Sequence, residues 1–378
     1  MHLHEYQSKQ YFARFGIRTP QGKIASTPQE AQTIAVEFGV PVVINAQALD
    51  HQRVFRLAPT PEDAQRLAGD ILAMTLSGVR VGTVLVEPVA SVSAEYFLGI
   101  YGDRGSSWIM VASPEGGDDI IQIERTRPQT LIRETINPFL GVLEFQARNL
   151  ASGINLPREH WSAFTQMVQN LYRCAVACDA IRAEINPLAV TQNGELIALG
   201  GKLVIDDNAL FRQQELAAIR DVKAEHESAV QARSAGISYV RLKGKIGCIV
   251  SGAGLGMATL DLLARHGADG SSFLDLGSDI QRDKISASLR LILPDVQAVL
   301  FNIFADKASC AEIAREFLAA FAEVQPAVPL VIRLAGRDTD GGRAVLEDAN
   351  YPQLSTALTT RQAVEAVSKG IADVHFSG

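Results

Sequence analysis

The stretch from Lys245 to Ala258, KIGCIVSGAGLGMA in one-letter code, leaves few folds open to the chain. Ile246 to Val250 is a continuous apolar run, and at that length it reads as a strand buried on both faces. The run stops at Ser251-Gly252-Ala253-Gly254. Apolar residues then recur at helical spacing through Leu255, Met257, Leu260, Leu263 and Ala264. Strand, small-residue turn and helix together aim free backbone N–H groups past the turn, where the helix dipole adds partial positive charge. The dinucleotide fingerprint G-x-G-x-x-G needs a third glycine where Met257 stands, so this is not an NAD turn. Two readings stay open. The turn cradles a phosphate or carboxylate in a parallel α/β domain, or it only packs helix against sheet.

The rhythm around that stretch repeats. Apolar strands end near Val250, Leu276, Phe304 and Leu334, with helix-length patterns such as Asp283 to Leu293 and Ala311 to Phe321 between them. Such alternation implies a right-handed, mostly parallel sheet, with ligands held past the carboxyl ends of its strands. Before about residue 235 the order is different. Thr27-Pro28-Gln29-Glu30 and Thr60-Pro61-Glu62-Asp63 each combine a cap, a proline at the first helical position and an acid in the first turn. Strands are expected at Val40 to Ile44 and Val81 to Val86. Hairpins are expected at Glu95 to Ser113 around Asp103-Arg104-Gly105, and at Ala183 to Leu199 around Gln192-Asn193-Gly194. A long helix is expected from Trp161 to Cys178. We therefore expect two domains, 1–235 and 236–378, of α+β and α/β character.

Composition narrows the function classes. A net charge of −7 and no basic, aromatic-studded stretch argue against a nucleic-acid binder. No apolar run approaches a membrane span, and the first residues lack the pattern of a signal peptide. Four scattered cysteines without zinc spacing suit a reducing compartment, so the cytoplasm is expected.

His4-Glu5-Tyr6-Gln7-x-Lys9, Ala112-Ser113-Pro114-Glu115-Gly116-Gly117, Glu184-Ile185-Asn186-Pro187-Leu188, Asp207-Asn208-Ala209-Leu210-Phe211-Arg212, the Ser251–Ala258 turn and Asn302-Ile303-Phe304 occur in an order and spacing that resemble the β subunit of succinyl-CoA synthetase (succinate–CoA ligase) and related acid–CoA ligases. The resemblance spans nearly the whole chain. It implies an ATP-grasp domain followed by a flavodoxin-like CoA-ligase domain. It also implies an α-type partner, in a heterodimer or heterotetramer, that carries the CoA site and a phosphorylated histidine. The reaction implied joins a small carboxylic acid to CoA with ATP and Mg2+, releasing ADP and phosphate. No nucleic acid or membrane partner is implied.

The resemblance places Glu184 against the phosphohistidine and Asn186 on the metal. It places Asn45, Arg53, Glu87 and Glu95 around the nucleotide. Ser251, Gly252 and Gly254, with Ala305, Asp306 and Lys307, surround the phosphate and acid. Several positions depart from the family pattern. Asn45 stands where a lysine is usual, and the glycines of the following loop are missing while Asp50 enters it. Leu199-Gly200-Gly201-Lys202 lacks the aspartate of Leu-Asp-Gly-Lys, which leaves Asp206 or Asp207 as the acids nearest in sequence. Ala305-Asp306-Lys307 replaces a glycine turn, Gly277-Ser278-Asp279 replaces a run of glycines, and Ser251 replaces an asparagine. A carboxylate at 306 opposes a phosphate by roughly 4 kcal/mol at close range. Two functions are therefore expected as alternatives. One is a β-like subunit of an ADP-forming acid–CoA ligase with a reduced nucleotide site. The other is a non-catalytic paralogue that scaffolds or regulates an α-type partner, or binds CoA esters without ATP turnover. None of the chain's histidines has the setting of a nucleophile, so the chain alone is expected to form no thioester.

Overall fold

The computed structural model describes residues 1–49, 54–102, 107–117 and 120–375, the side chains as far as residue 369. Internal contacts divide the chain into two units, Met1–Glu225 and His226–Gly378. The helix Glu227–Ser234, which the sequence reading left with the first domain, makes its contacts on the second unit's strand Ser238–Arg241 and helix Arg282–Ile292.

In the first unit, both threonine-led helix starts form. Thr27 caps Pro28–Phe38 by accepting from the Glu30 N–H, and Thr60 caps Pro61–Leu72 by accepting from the Asp63 N–H. These two helices cover one face of a small antiparallel sheet, ordered Lys23–Ala25, Val84–Pro88, Val42–Ala46, Phe55–Ala58. Strand pleating puts Val42, Ile44, Val84 and Val86 under the helices, and sends Val43, Asn45, Leu85, Glu87, Phe55 and Leu57 to the other face. A larger antiparallel sheet is built around the long strands Val92–Gly102 and Ala180–Thr191, with Trp108–Ser113 and Ile132–Ile136 on one side. Leu196–Ala198 and Gly201–Ile205 lie on the other. One face holds Leu98, Ile100, Ala183 and Ile185 against the helix Trp161–Ala177, in the unit's main core. The opposite face carries Phe97, Gly99, Tyr101, Arg182, Glu184 and Lys202, and is covered at one corner by Ile123 of the short helix Ile120–Thr126. Both expected hairpins are present; the tip at Asp103-Arg104-Gly105 lies outside the described residues.

The second unit is a six-stranded sheet with an antiparallel edge strand, Ser238–Arg241, that the sequence reading did not anticipate. The remaining strands are parallel in the order Gly270–Asp275, Ile246–Val250, Ala298–Ala305, Leu330–Gly336, Leu354–Thr356. Numbered along the chain this is the 2-1-3-4-5 order of flavodoxin-like sheets, whose switch point lies between the first and third strands. Ile246–Val250 is buried throughout, as a strand covered on both faces must be.

Candidate functional site

Three clusters gather the residues singled out by sequence, two in the first unit and one in the second.

The first lies on the free face of the small sheet. Lys9, on the helix Glu5–Arg14, buries its ammonium and donates to both oxygens of Glu87, at 2.9 and 2.8 Å. It also pairs with Glu5 at 2.7 Å, one turn back. The other Glu5 oxygen accepts from the Asn45 amide at 2.7 Å. Asn45 and Glu87 are 7% and 8% exposed, so this network is internal. Burial raises the Glu87 carboxyl from its ordinary 4.5 to about 6, against the pull of Lys9 and with help from Glu5. Burial alone would lower Lys9, but the flanking carboxylates hold it above an ordinary lysine. The helix comes this close because Gly201 lets it: a Cβ there would sit 3.0 Å from the Phe12 ring and 3.3 Å from Lys9. Of the expected nucleotide residues, the structure thus joins Asn45 to Glu87 through Glu5 and Lys9, two residues of the opening motif that carried no expected site role. The i, i+4 spacing of Glu5 and Lys9 was the available signal. Arg53 and Asp50 lie outside the described residues.

The second cluster sits on the opposite face of the large sheet. Oε1 of Glu184 accepts from Arg182 Nε at 2.6 Å and from the Tyr101 hydroxyl, and forms an ion pair with Arg182 Nη2 at 2.6 Å. The Arg182 guanidinium lies over the Tyr101 ring, 5.6 Å from its centre. The sheet register explains the group, since Arg182 pairs with Tyr101 across strands while Glu184 pairs with Gly99 on one side and Lys202 on the other. Burial, then the Glu184 charge, pushes the Tyr101 phenol far above its ordinary value, so it stays a donor. Arg182, Tyr101 and Lys202 were not found from sequence, because only the register brings them together. Two residues along, Asn186 Oδ1 accepts from the Gly117 N–H at 2.7 Å. The Gly116 turn packs so tightly that a Cβ there would lie 2.6 Å from the Tyr96 nitrogen. Glu95 is exposed beside this turn, on the strand that pairs with Ala189.

The acids nearest in sequence to the missing family aspartate are engaged elsewhere. Asp207 meets Arg220 at 2.8 Å and the Met1 ammonium at 3.2 Å, and Asp206 accepts from the Asn208 N–H. No group of three His, Cys, Asp or Glu residues able to hold a metal occurs among the described residues. Magnesium takes oxygen ligands, carboxylates first. An amide oxygen already bonded to a backbone N–H does not supply that set, so the described residues do not fit a protein-held magnesium ion.

The third cluster occupies the switch point of the parallel sheet. Ser251 Oγ accepts from the Phe304 N–H at 2.7 Å and donates to its carbonyl at 3.2 Å, stitching together the ends of the first and third strands. Gly252 adopts φ 107° and opens the helix Ala253–Arg265 with no side-chain cap. Cβ atoms at Gly252, Gly254 and Gly277 would all enter open space. The Gly252 and Gly277 N–H groups are already taken, however, by Asp275 Oδ1 at 2.7 and 2.8 Å. Ala305 is buried, whereas Asp306 and Lys307 are exposed. The crevice thus keeps an uncapped helix start in the open and answers part of it with its own carboxylate.

Residues 2–190 match the family model of an ATP-grasp domain, and residues 249–367 that of a CoA-ligase domain. The expected succession of the two folds therefore holds. Over 378 residues the chain is 43% identical to the succinate–CoA ligase [ADP-forming] subunit beta of Chloroflexus aurantiacus, covering 98% of this chain and all of that one. It is 38% identical to the succinate–CoA ligase [GDP-forming] subunit beta of Thermus thermophilus, at the same coverage. A solved ATP citrate lyase of Methanosaeta concilii, bound to (3S)-citryl-CoA, superposes with a TM-score of 0.69 at 15% identity, over 97% of this chain and 99% of that one. This last likeness is one of fold.

Proposed function

We propose, from the premise that the chain belongs to the succinate–CoA ligase β-subunit family, that it is the β-like subunit of an ADP-forming acid–CoA ligase. It acts with an α-type subunit that brings the phosphohistidine and CoA, and it takes a small carboxylic acid. The observation that carries this reading is the mid-strand segment Glu184–Asn186, kept within a chain that aligns with β subunits over their whole length. In this reading Glu184 and its neighbours face the partner's histidine. The crevice at Ser251, Gly252 and Gly254 takes phosphate or the acid, with Lys307 at its rim. The family's nucleotide chemistry enters at the first unit.

A second reading is favoured by one specific observation. Asn45 and Glu87, both expected on the nucleotide, are bonded inward to Glu5 and Lys9. A cluster satisfied in this way suits a chain that scaffolds or regulates an α-type partner without turning over ATP. Co-expression with an α-type subunit, followed by an acid panel with CoA, ATP and magnesium, separates the two. Thioester formation by the pair, and none by either chain alone, supports the ligase. A stable pair that forms no thioester supports the scaffold.

A further inference from the structure

The Glu184 carboxylate is not left waiting for a cation. One of its oxygens accepts from the guanidinium Nε–H at 2.6 Å and from the Tyr101 hydroxyl, and pairs with Nη2 at 2.6 Å. Its side chain is 7% exposed, whereas that of Arg182 is 21% exposed. The member of the pair that meets the space beyond the sheet is thus the guanidinium. We propose, resting on the reading above, that Arg182 is the residue that meets the phosphoryl oxygens on this face of the sheet, and that Glu184 and Tyr101 are its positioning residues.

The chemistry is that of charge-assisted recognition. A guanidinium presents planar, forked donors that match a phosphoryl group, and it keeps its charge at every working pH. The pairing with Glu184 and the stack on Tyr101 fix the plane of the fork, so little freedom is lost when an anion arrives. No three-residue metal cluster occurs among the described residues. Compensation of phosphoryl charge therefore falls to side chains, as it does where an arginine stabilises a transferring phosphoryl group. The ligand class is a phosphoryl anion, and the recognition requires no metal.

The test is a calorimetric titration of the full chain with inorganic pyrophosphate at low salt in EDTA, comparing wild type with R182L, R182K and Y101F. We expect wild type to bind without metal and R182L to bind roughly tenfold or more weakly, the loss of a charge-assisted pair. R182K keeps the charge but not the fork and falls between them. Y101F keeps the guanidinium but loosens its aim, and weakens binding about threefold. Undiminished binding by R182L, or binding by wild type only when magnesium is added, overturns the proposal, as does no binding by wild type at millimolar pyrophosphate. The assay uses neither partner nor nucleotide. Failure of thioester formation by the assembled pair therefore counts against the ligase reading and not against this one.

Discussion

The Lys9 and Glu184 clusters of the first unit and the crevice of the parallel sheet hold charge by different means. In the first unit the groups are side chains, and they satisfy one another: Lys9 with Glu87 and Glu5, Arg182 with Glu184. In the second they are backbone N–H groups at a glycine turn, of which Asp275 takes two and leaves the helix start open. Side-chain pairs can be rewired by single substitutions, since Asn45 needs only one amide to bond Glu5. A backbone turn is retained as long as its glycines are, whatever the neighbouring loops become. That contrast explains how the second unit can carry Asp306 and Lys307 beside an intact turn while the first unit's polar cluster has turned inward.

The contrast is open to breakage in several places. Lys9→Met strips the counter-charge from two largely buried carboxylates, and we expect a loss of roughly 3–5 kcal/mol in chemical denaturation. A loss under about 1 kcal/mol, the range of a surface pair, shows that the cluster is not a buried ionic network. Asp275→Ala leaves the Gly252 and Gly277 N–H groups without an acceptor, at a cost of roughly 1–3 kcal/mol. Added phosphate should narrow this deficit, because an anion can now take those donors. A deficit insensitive to phosphate marks the turn as packing only. Glu87 gives a pH signature. Its folded pKa is raised from 4.5 to about 6, so the folded chain holds a proton that the unfolded chain has lost. The associated stability is present below about 4.5, is lost as pH rises through about 6, and amounts to roughly 2 kcal/mol at most. Wild type should lose that much more than E87Q over this window; parallel curves contradict it. The smallest effect is Ser251→Ala, which removes the stitch to Phe304 and should cost about 1 kcal/mol.

Much of the second unit was legible from its sequence because parallel strands buried on both faces are written as apolar runs, as Ile246–Val250 is. The helix starts at Thr27 and Thr60 were legible for a similar reason, since a cap is a local device. The edge strand Ser238–Arg241 escaped because only one of its residues is even half-buried besides the exposed ones, so it shows no apolar period. In the candidate site, Glu184 and Asn186 came from motif resemblance. Tyr101, Arg182 and Lys202 become a group only through strand register, and Lys9 reaches Glu87 only through tertiary packing. A single sequence does not encode register until both strands and their pairing are known.

The most direct test charges the system from the thioester side. The co-purified pair, incubated with succinyl-CoA and inorganic phosphate, should acquire phosphate on the partner's histidine. Added magnesium and ADP should then discharge it to ATP, slowly because Asn45 and Glu87 are bonded to Glu5 and Lys9, and Arg182→Leu should slow it further. A charged histidine that ADP never discharges, with the chain present and folded, contradicts the account of this chain as a phosphoryl-handling subunit.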